Sequence, residues 1–299
     1  MSISDLALSQ TLTNQLSNKM TAVATLQTQI ASGQALNQPS DNPAAVTQVL
    51  ALSSQASQLT SWQGNAETAS SWLGTANGVA NSVLEAMGSA NTLLLQASNQ
   101  GSQTASGYEA IGRQLKGVVT NLLQLANSQY GGRALFAGTA ATTTAFDASG
   151  NYLGNSDTPK VVIGAGAGAG QTVGISVPGT AMFGAGTSNV FATLTTVANA
   201  LLTGSPAPSQ ISSALTALSG NIATAQQASV ELGNATQQSS MASASLTTQL
   251  SNVQANSANL KDINLAQATT QLQLDTTSYQ AALWAASQAI PETLMKFVP

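Results

Sequence analysis

The residues best equipped for chemistry in this 299-residue chain are few: two carboxylates, Asp147 and Asp157, and a glycine-rich run, IGAGAGAGQ, at 163–171. A carboxylate pair is what a glycosidase needs, one group as acid and the other as base or nucleophile. Both aspartates sit among Asn, Gly and Ser, where the side-chain oxygens of an aspartate ordinarily close turns, so turn capping is expected. Gly164, Gly166 and Ala169 fit the loosest G-x-G-x-x-G/A spacing. A phosphate cradle needs a helix after its glycines, whereas a strand-like segment follows here and no Gly-Lys-Ser/Thr is present. The run is therefore expected to link a hairpin.

The chain has no cysteine and no histidine. Disulfides, thiolate nucleophiles, imidazole bases and zinc sites built on those ligands are thereby excluded. No catalytic, cofactor-binding or metal-ligating residue is assigned, no cofactor is expected, and the chain is not read as an enzyme. Charged residues make up 6% of the sequence, against roughly a quarter in an average soluble protein. Such depletion is typical of interface cores, where desolvating an unpaired ion is costly, and suits a subunit covered by neighbours. A net charge of −4, with seven basic residues scattered along the chain, leaves no footprint for nucleic acid. No run approaches the ~18 apolar residues of a membrane span, so no membrane insertion is expected. The first residues, MSISDLALSQ, lack the basic region and continuous apolar stretch of a cleavable signal peptide.

The elements that carry these residues are mostly helical. Leu12, Leu16, Lys19, Val23, Leu26 and Ile30 recur at alternating steps of four and three, a narrow apolar seam broken by one lysine. Near the other end, Leu272, Thr276, Tyr279, Leu283, Ala286, Ile290, Leu294 and Phe297 repeat that spacing, with Pro291 inside the run. The two ends can form one coiled coil. Gly33 suits the end of the first helix, and Ser40, Asp41, Asn42 and Pro43 suit the start of a second that runs to about residue 98. Gly64, Gly74, Gly78 and Gly88 inside it either permit close helix approach or only loosen it. A third helical run reaches Tyr130, Gly131 and Gly132, and short β-like stretches follow at 152–153, 160–163 and 171–177. Helical pattern resumes at Asn189, breaks at 205–209, restarts with Ser209 as cap and pauses near Asp262, where Asn264 and Gln267 have capping-box spacing. The expected fold is mainly α: a long helical bundle and coiled coil built from both chain ends, with a small inserted β domain. Its divisions are 1–42 plus 261–299 as a terminal coiled coil, 43–138 plus 189–260 as a helical bundle, and 139–188 as an outward-facing β insert.

Residues 31–46, ASGQALNQPSDNPAAV, resemble the N-terminal segment of the bacterial flagellin superfamily through Ser32, Gly33, Leu36, Asn37, Ser40 and Asp41. Pro39 and Pro43 make the segment more similar to the flagellar hook-associated protein 3 branch, the hook–filament junction proteins, than to filament flagellins. Asn42 departs from that pattern, in which a second Asp is usual. RALFAGT at 133–139 is similar to the same branch at Arg133, Leu135, Phe136, Gly138 and Thr139, with Ala134 replacing an aromatic residue. SVPGTAMFG at 176–184, LKDINLAQATTQL at 260–272 and SYQAALWAASQAI at 278–290 extend the resemblance, while the ending ETLMKFVP departs from it.

The resemblance implies an exported, self-assembling structural subunit of the flagellum that joins hook to filament, or alternatively a filament flagellin. It implies copies of itself, other hook-associated and flagellin subunits and an export chaperone as partners. It also implies an extracellular place at the hook–filament junction, reached by type III export without a cleaved signal peptide. The assembly seam would comprise Leu12, Leu16, Val23, Leu26, Ile30, Leu272, Tyr279, Leu283, Ile290 and Leu294. The family-like turns would comprise Ser32, Gly33, Asn37, Pro39, Ser40, Asp41, Pro43, Arg133, Phe136 and Gly138.

Overall fold

Helix ends are where this sequence constrains its backbone most directly. In a computed structural model describing residues 3–99, 104–140, 142–165 and 170–289, the first helix α1 (Ile3–Ser32) stops at Gly33, whose φ of +69° is the left-handed conformation glycine adopts without a Cβ penalty. The next helix, α2 (Pro43–Ser98), begins with proline as its first residue, and the Asn42 side-chain oxygen accepts a hydrogen bond from the Ala45 amide at 3.0 Å. Asn42 therefore does the capping expected of the Ser-Asp-Asn group as a whole.

The remaining order is α3 (Ala105–Ala126), β1 (Gln129–Tyr130), β2 (Arg133–Ala134), β3 (Lys160–Gly164), β4 (Gln171–Gly174), α4 (Gly179–Phe183), α5 (Val190–Leu202), α6 (Pro208–Lys261) and α7 (Leu265–Ala289). Thr104 caps α3 by accepting from the Gly107 amide. That helix ends at Ala126, short of the expected Tyr130. The reason is the pair Gly131 and Gly132, both at positive φ, which closes a two-residue hairpin loop and pairs Tyr130 with Arg133 and Gln129 with Ala134. Pro208, rather than a Ser209 cap, opens α6, and the Gln210 side chain accepts from the Ala207 amide just before it. At α7 the expected cap is in place: the Asn264 side-chain oxygen accepts from the Gln267 amide at 3.2 Å.

The chain divides into two compact units, Met1–Gln58 with Leu250–Pro299 and Leu59–Gln249. In the second, the face of α2 that turns inward is built from small residues, with Ala66, Ala69, Ala76, Ala80, Ala86, Ala90 and Ala97 buried beside Leu73, Val83, Met87 and Leu94. Its glycines do not mark close approach, because a Cβ added at Gly64, Gly74, Gly78 or Gly88 would meet nothing within 4 Å. Close approach occurs at Gly112 of α3 instead, where a Cβ would come within 3.0 Å of the Ala198 carbonyl on α5. Ser239 of α6 donates to the Ala66 carbonyl and Asn77 donates to Thr236, tying α2 to α6 within this unit.

Residues 139–188 keep the hairpin expected of them but share their core with the helices. The strands β3 and β4 pair antiparallel with Val161 opposite Val173 and an irregularity between Val162 and Gly164. The chain enters and leaves the glycine-rich run as a hairpin, while Gly166 and Ala169 lie outside the described residues. Phe136, Phe146, Phe183 and Phe191 are fully buried against one another at ring separations of 5.0–5.6 Å, and they come from both the insert and its helical flanks. Asn127, just past α3, holds the insert by its side chain, accepting from the amides of Ala145 and Phe146 and donating to the Phe146 carbonyl. One aromatic cluster and one asparagine thus explain why this stretch belongs to the same compact unit as α3 and α5.

Candidate assembly surface

The first unit is built around α1 and α7, which pack against each other. Their relative direction is set where both chains break. Gln34 and Asp262 form an antiparallel bridge, the Ala35 amide donates to the Lys261 carbonyl at 2.7 Å, and the Ile263 amide donates to the Gly33 carbonyl at 3.1 Å. From this lacing α1 and α7 run antiparallel.

Around the break several of the family-like turn residues shape the backbone. The Ser32 hydroxyl accepts from the Gln34 amide, and the Asp41 carboxylate accepts from the amides of Asn37 and Gln38 at 2.9 and 2.8 Å. Asn37 donates to the Gln34 carbonyl. Pro39 and Ser40 are exposed between them, and Pro43 opens α2. Asp41 thus closes the turn, and the cap of α2 falls to the next residue.

Along α1, the expected seam residues Leu12, Leu16, Val23, Leu26 and Ile30 are all half-buried, as is Lys19 among them. On α7 the inward positions are Ala268, Leu272, Asp275, Thr276, Tyr279, Ala282 and Ala286. Leu272 and Tyr279 are therefore on the seam. Leu283 is not: it is 42% exposed, one position away from Ala282, and beside it Trp284 is 72% exposed. At that turn the smaller Ala282 takes the position facing α1, and the adjacent Leu283 is left outward. Ile290 and Leu294 lie outside the described residues.

The charge that interrupts the α1 seam has a partner that the sequence reading missed. Lys19 Nζ lies 2.9 Å from an Asp275 carboxylate oxygen, and the Gln271 side chain donates to the other oxygen at 2.9 Å. The Gln271 hydrogen bond first, and Lys19 after it, hold the Asp275 carboxyl below its ordinary value. The signal was present in the spacing. Asp275 lies three residues after Leu272 and four before Tyr279, and thus on the seam beside Thr276.

The second group of family-like residues lies in the other unit. Arg133 is exposed with its guanidinium 6.0 Å from the Trp72 ring centre, and Tyr130 meets that ring edge-on at 5.3 Å. Phe136 is in the aromatic core, and its carbonyl accepts from the Gly179 amide and the Tyr152 hydroxyl. Gly138, at φ +69°, is irreplaceable on two counts, since a Cβ there would also lie 2.3 Å from the Asn155 side chain. These residues turn and pack the chain.

Of the two candidate carboxylates, Asp157 is exposed and Asp147 closes a turn. Asp147 accepts from the amides of Ser149 and Asn151 and from the Asn151 side chain, and these bonds, the last foremost, hold its carboxyl below the ordinary range. Among the described residues no cluster of acids suited to a metal occurs, and no helix is long and apolar enough to cross a membrane.

Residues 3–141 match the family described as the bacterial flagellin N-terminal helical region. No curated protein sequence matches the chain. Among solved structures, a flagellar hook-associated protein from Vibrio parahaemolyticus aligns with a TM-score of 0.68 at 22% identity, over 74% of this chain and 100% of its own. FlgL from Bacillus cereus aligns at 0.60 and 19% identity, over 70% of this chain and 99% of its own. Flagellar hook-associated protein 3 from Legionella pneumophila aligns at 0.61 and 12% identity, over 71% and 98%. Over residues 3–141 the chain is thus similar to a flagellin N-terminal helical region, and its fold is like that of solved flagellar hook-associated proteins.

Proposed function

We propose that this chain is a structural, non-enzymatic subunit of the bacterial flagellum that joins hook to filament. The observation that carries the reading is a fold match along essentially the whole length of hook-associated protein structures from three organisms. The low charge and the outward apolar residues of the terminal unit support it. Met20, Leu274 and Trp284 are 63%, 59% and 72% exposed on α1 and α7, in helices that in the free chain bury little. Covering such residues on neighbouring subunits is what an assembling helix pair requires. In this reading residues 1–42 and 261–299 make the contacts within the tube, and 139–188 face outward. The partners are copies of itself, other hook-associated proteins and flagellin, with an export chaperone before assembly. Export follows the flagellar type III route to the hook–filament junction, with the N-terminus retained.

The second reading, a filament flagellin, draws on the match of residues 3–141 to a region that flagellins carry. Imaging flagella that bear a labelled copy separates the two. A single band at the distal end of the hook is expected; label along the filament would replace the junction reading with the flagellin one, and label absent from flagella would end both.

A further inference from the structure

We propose that Lys19 and Asp275, oriented by Gln271, are specificity determinants that hold the register of α1 against α7 along the helices, beyond the reach of the main-chain lacing at Gly33–Ala35 and Lys261–Ile263. The inference rests on the geometry of the terminal unit alone and stands independently of the flagellar reading. Lys19 is the one basic residue of α1, and Asp275 is the one charged residue of α7. In a chain with 6% charged residues these two, 256 positions apart, meet at 2.9 Å. Asp275 is buried, its side chain 11% exposed, so without Lys19 its charge would keep only the Gln271 hydrogen bond and lose its counter-ion.

The rest of the seam discriminates poorly between registers. Apart from Asp275 and the neutral Thr276, its α7 side is Ala268, Leu272, Tyr279, Ala282 and Ala286, and a slip of seven residues again sets mostly apolar side chains against apolar ones. Such a slip places Lys19 opposite Ala268 or Ala282 and sets Asp275 against Leu12 or Leu26. A buried acid facing leucine is the penalty that rejects both shifted pairings. A single polar contact in an otherwise uniform helix seam specifies register by this means.

The absence of native cysteine makes the register readable by engineered thiols in the full-length chain. Val23→Cys with Leu272→Cys reports the observed register, since these positions lie four after Lys19 and three before Asp275; Val23→Cys with Tyr279→Cys reports a one-heptad slip. Oxidation in dilute solution, scored on the monomer band, is expected to give the first cross-link and little of the second. Lys19→Asp should lower the first at least fivefold, and the exchange Lys19→Asp with Asp275→Lys should recover it. Cross-linking of the first pair unchanged by Lys19→Asp, or unrecovered by the exchange, would overturn the proposal. If Lys19→Asp abolishes both cross-links by detaching α1, the apolar pair Lys19→Met with Asp275→Leu decides. Both cross-links forming there supports the proposal, and the first alone refutes it.

Discussion

The two units of this chain solve opposite problems. In Leu59–Gln249 four phenylalanines, an alanine-lined helix face and asparagine ties leave a fully buried core. In the terminal unit, among the described residues, only Val253, Ala268 and Asp275 are buried, and one of those three is an acid. One unit is held by its own apolar burial; the other has elements of good geometry whose apolar side chains are still half in water. Stability here is a local property, and the terminal unit is the part left available for a neighbour.

That contrast can be broken most severely at the aromatic cluster. Phe146 touches the rings of Tyr152, Phe183 and Phe191, so Phe146→Ala should cost about 3–5 kcal/mol, seen as a large fall in the main thermal transition by circular dichroism. A transition unmoved by this change would mean that the cluster is not the centre of the unit. Gly138→Ala combines a left-handed backbone with overlap on Asn155 and should cost about 2–4 kcal/mol in the same assay.

The terminal unit should respond to milder challenges. Limited proteolysis should trim α1 and α7 before cutting Leu59–Gln249, because few side chains there are buried; protection of α1 equal to that of α3 would contradict the contrast. Acid should act there too. The folded value of Asp275 lies below its unfolded one, so its contribution is complete above the ordinary aspartate value of about 3.9 and is lost as pH falls through the lower folded value. The thermal stability of the α1–α7 pair relative to an Asp275→Asn chain, followed by circular dichroism, should therefore fall in that acid range and stay constant from pH 5 to 7. The smallest effect belongs to the outer face. Leu283→Asp and Trp284→Ser should change the stability of the isolated chain by less than about 0.5 kcal/mol, since both side chains are exposed. In cells Leu283→Asp should nonetheless abolish filament attachment; normal filaments would remove that face from the assembly surface.

The sequence was most legible where a residue type has one backbone use. Gly33, Pro43 and Asn264 mark ends and starts that the structure places within a residue of expectation. It was least legible where small residues carry the packing. Alanine fits a helix on either face, so the buried row of α2 and the inward position of Ala282 gave no apolar signal, and the larger Leu283 attracted the assignment. Asp275 was hidden for a related reason, since a lone carboxylate on a seam looks like an error until its lysine is found across the helix pair. The end of α3 was misjudged because Tyr130 fits the helical period as well as the hairpin strand, and only the double glycine after it distinguishes them.

The lacing of the two chain breaks has a consequence for what this protein can tolerate over time. Its bonds join main-chain groups of Gly33, Ala35, Lys261 and Ile263, so they do not depend on the side chains of Ala35, Lys261 or Ile263, whereas the torsion of Gly33 disfavours a Cβ. Substitutions at Ala35, Lys261 or Ile263 leave the lacing in place. Insertion or deletion of a single residue in either break does not, because the bridge and the ion pair fifteen residues along α1 from Gln34 would then demand different alignments of the same two helices. The joint is open to change in letters and closed to change in length.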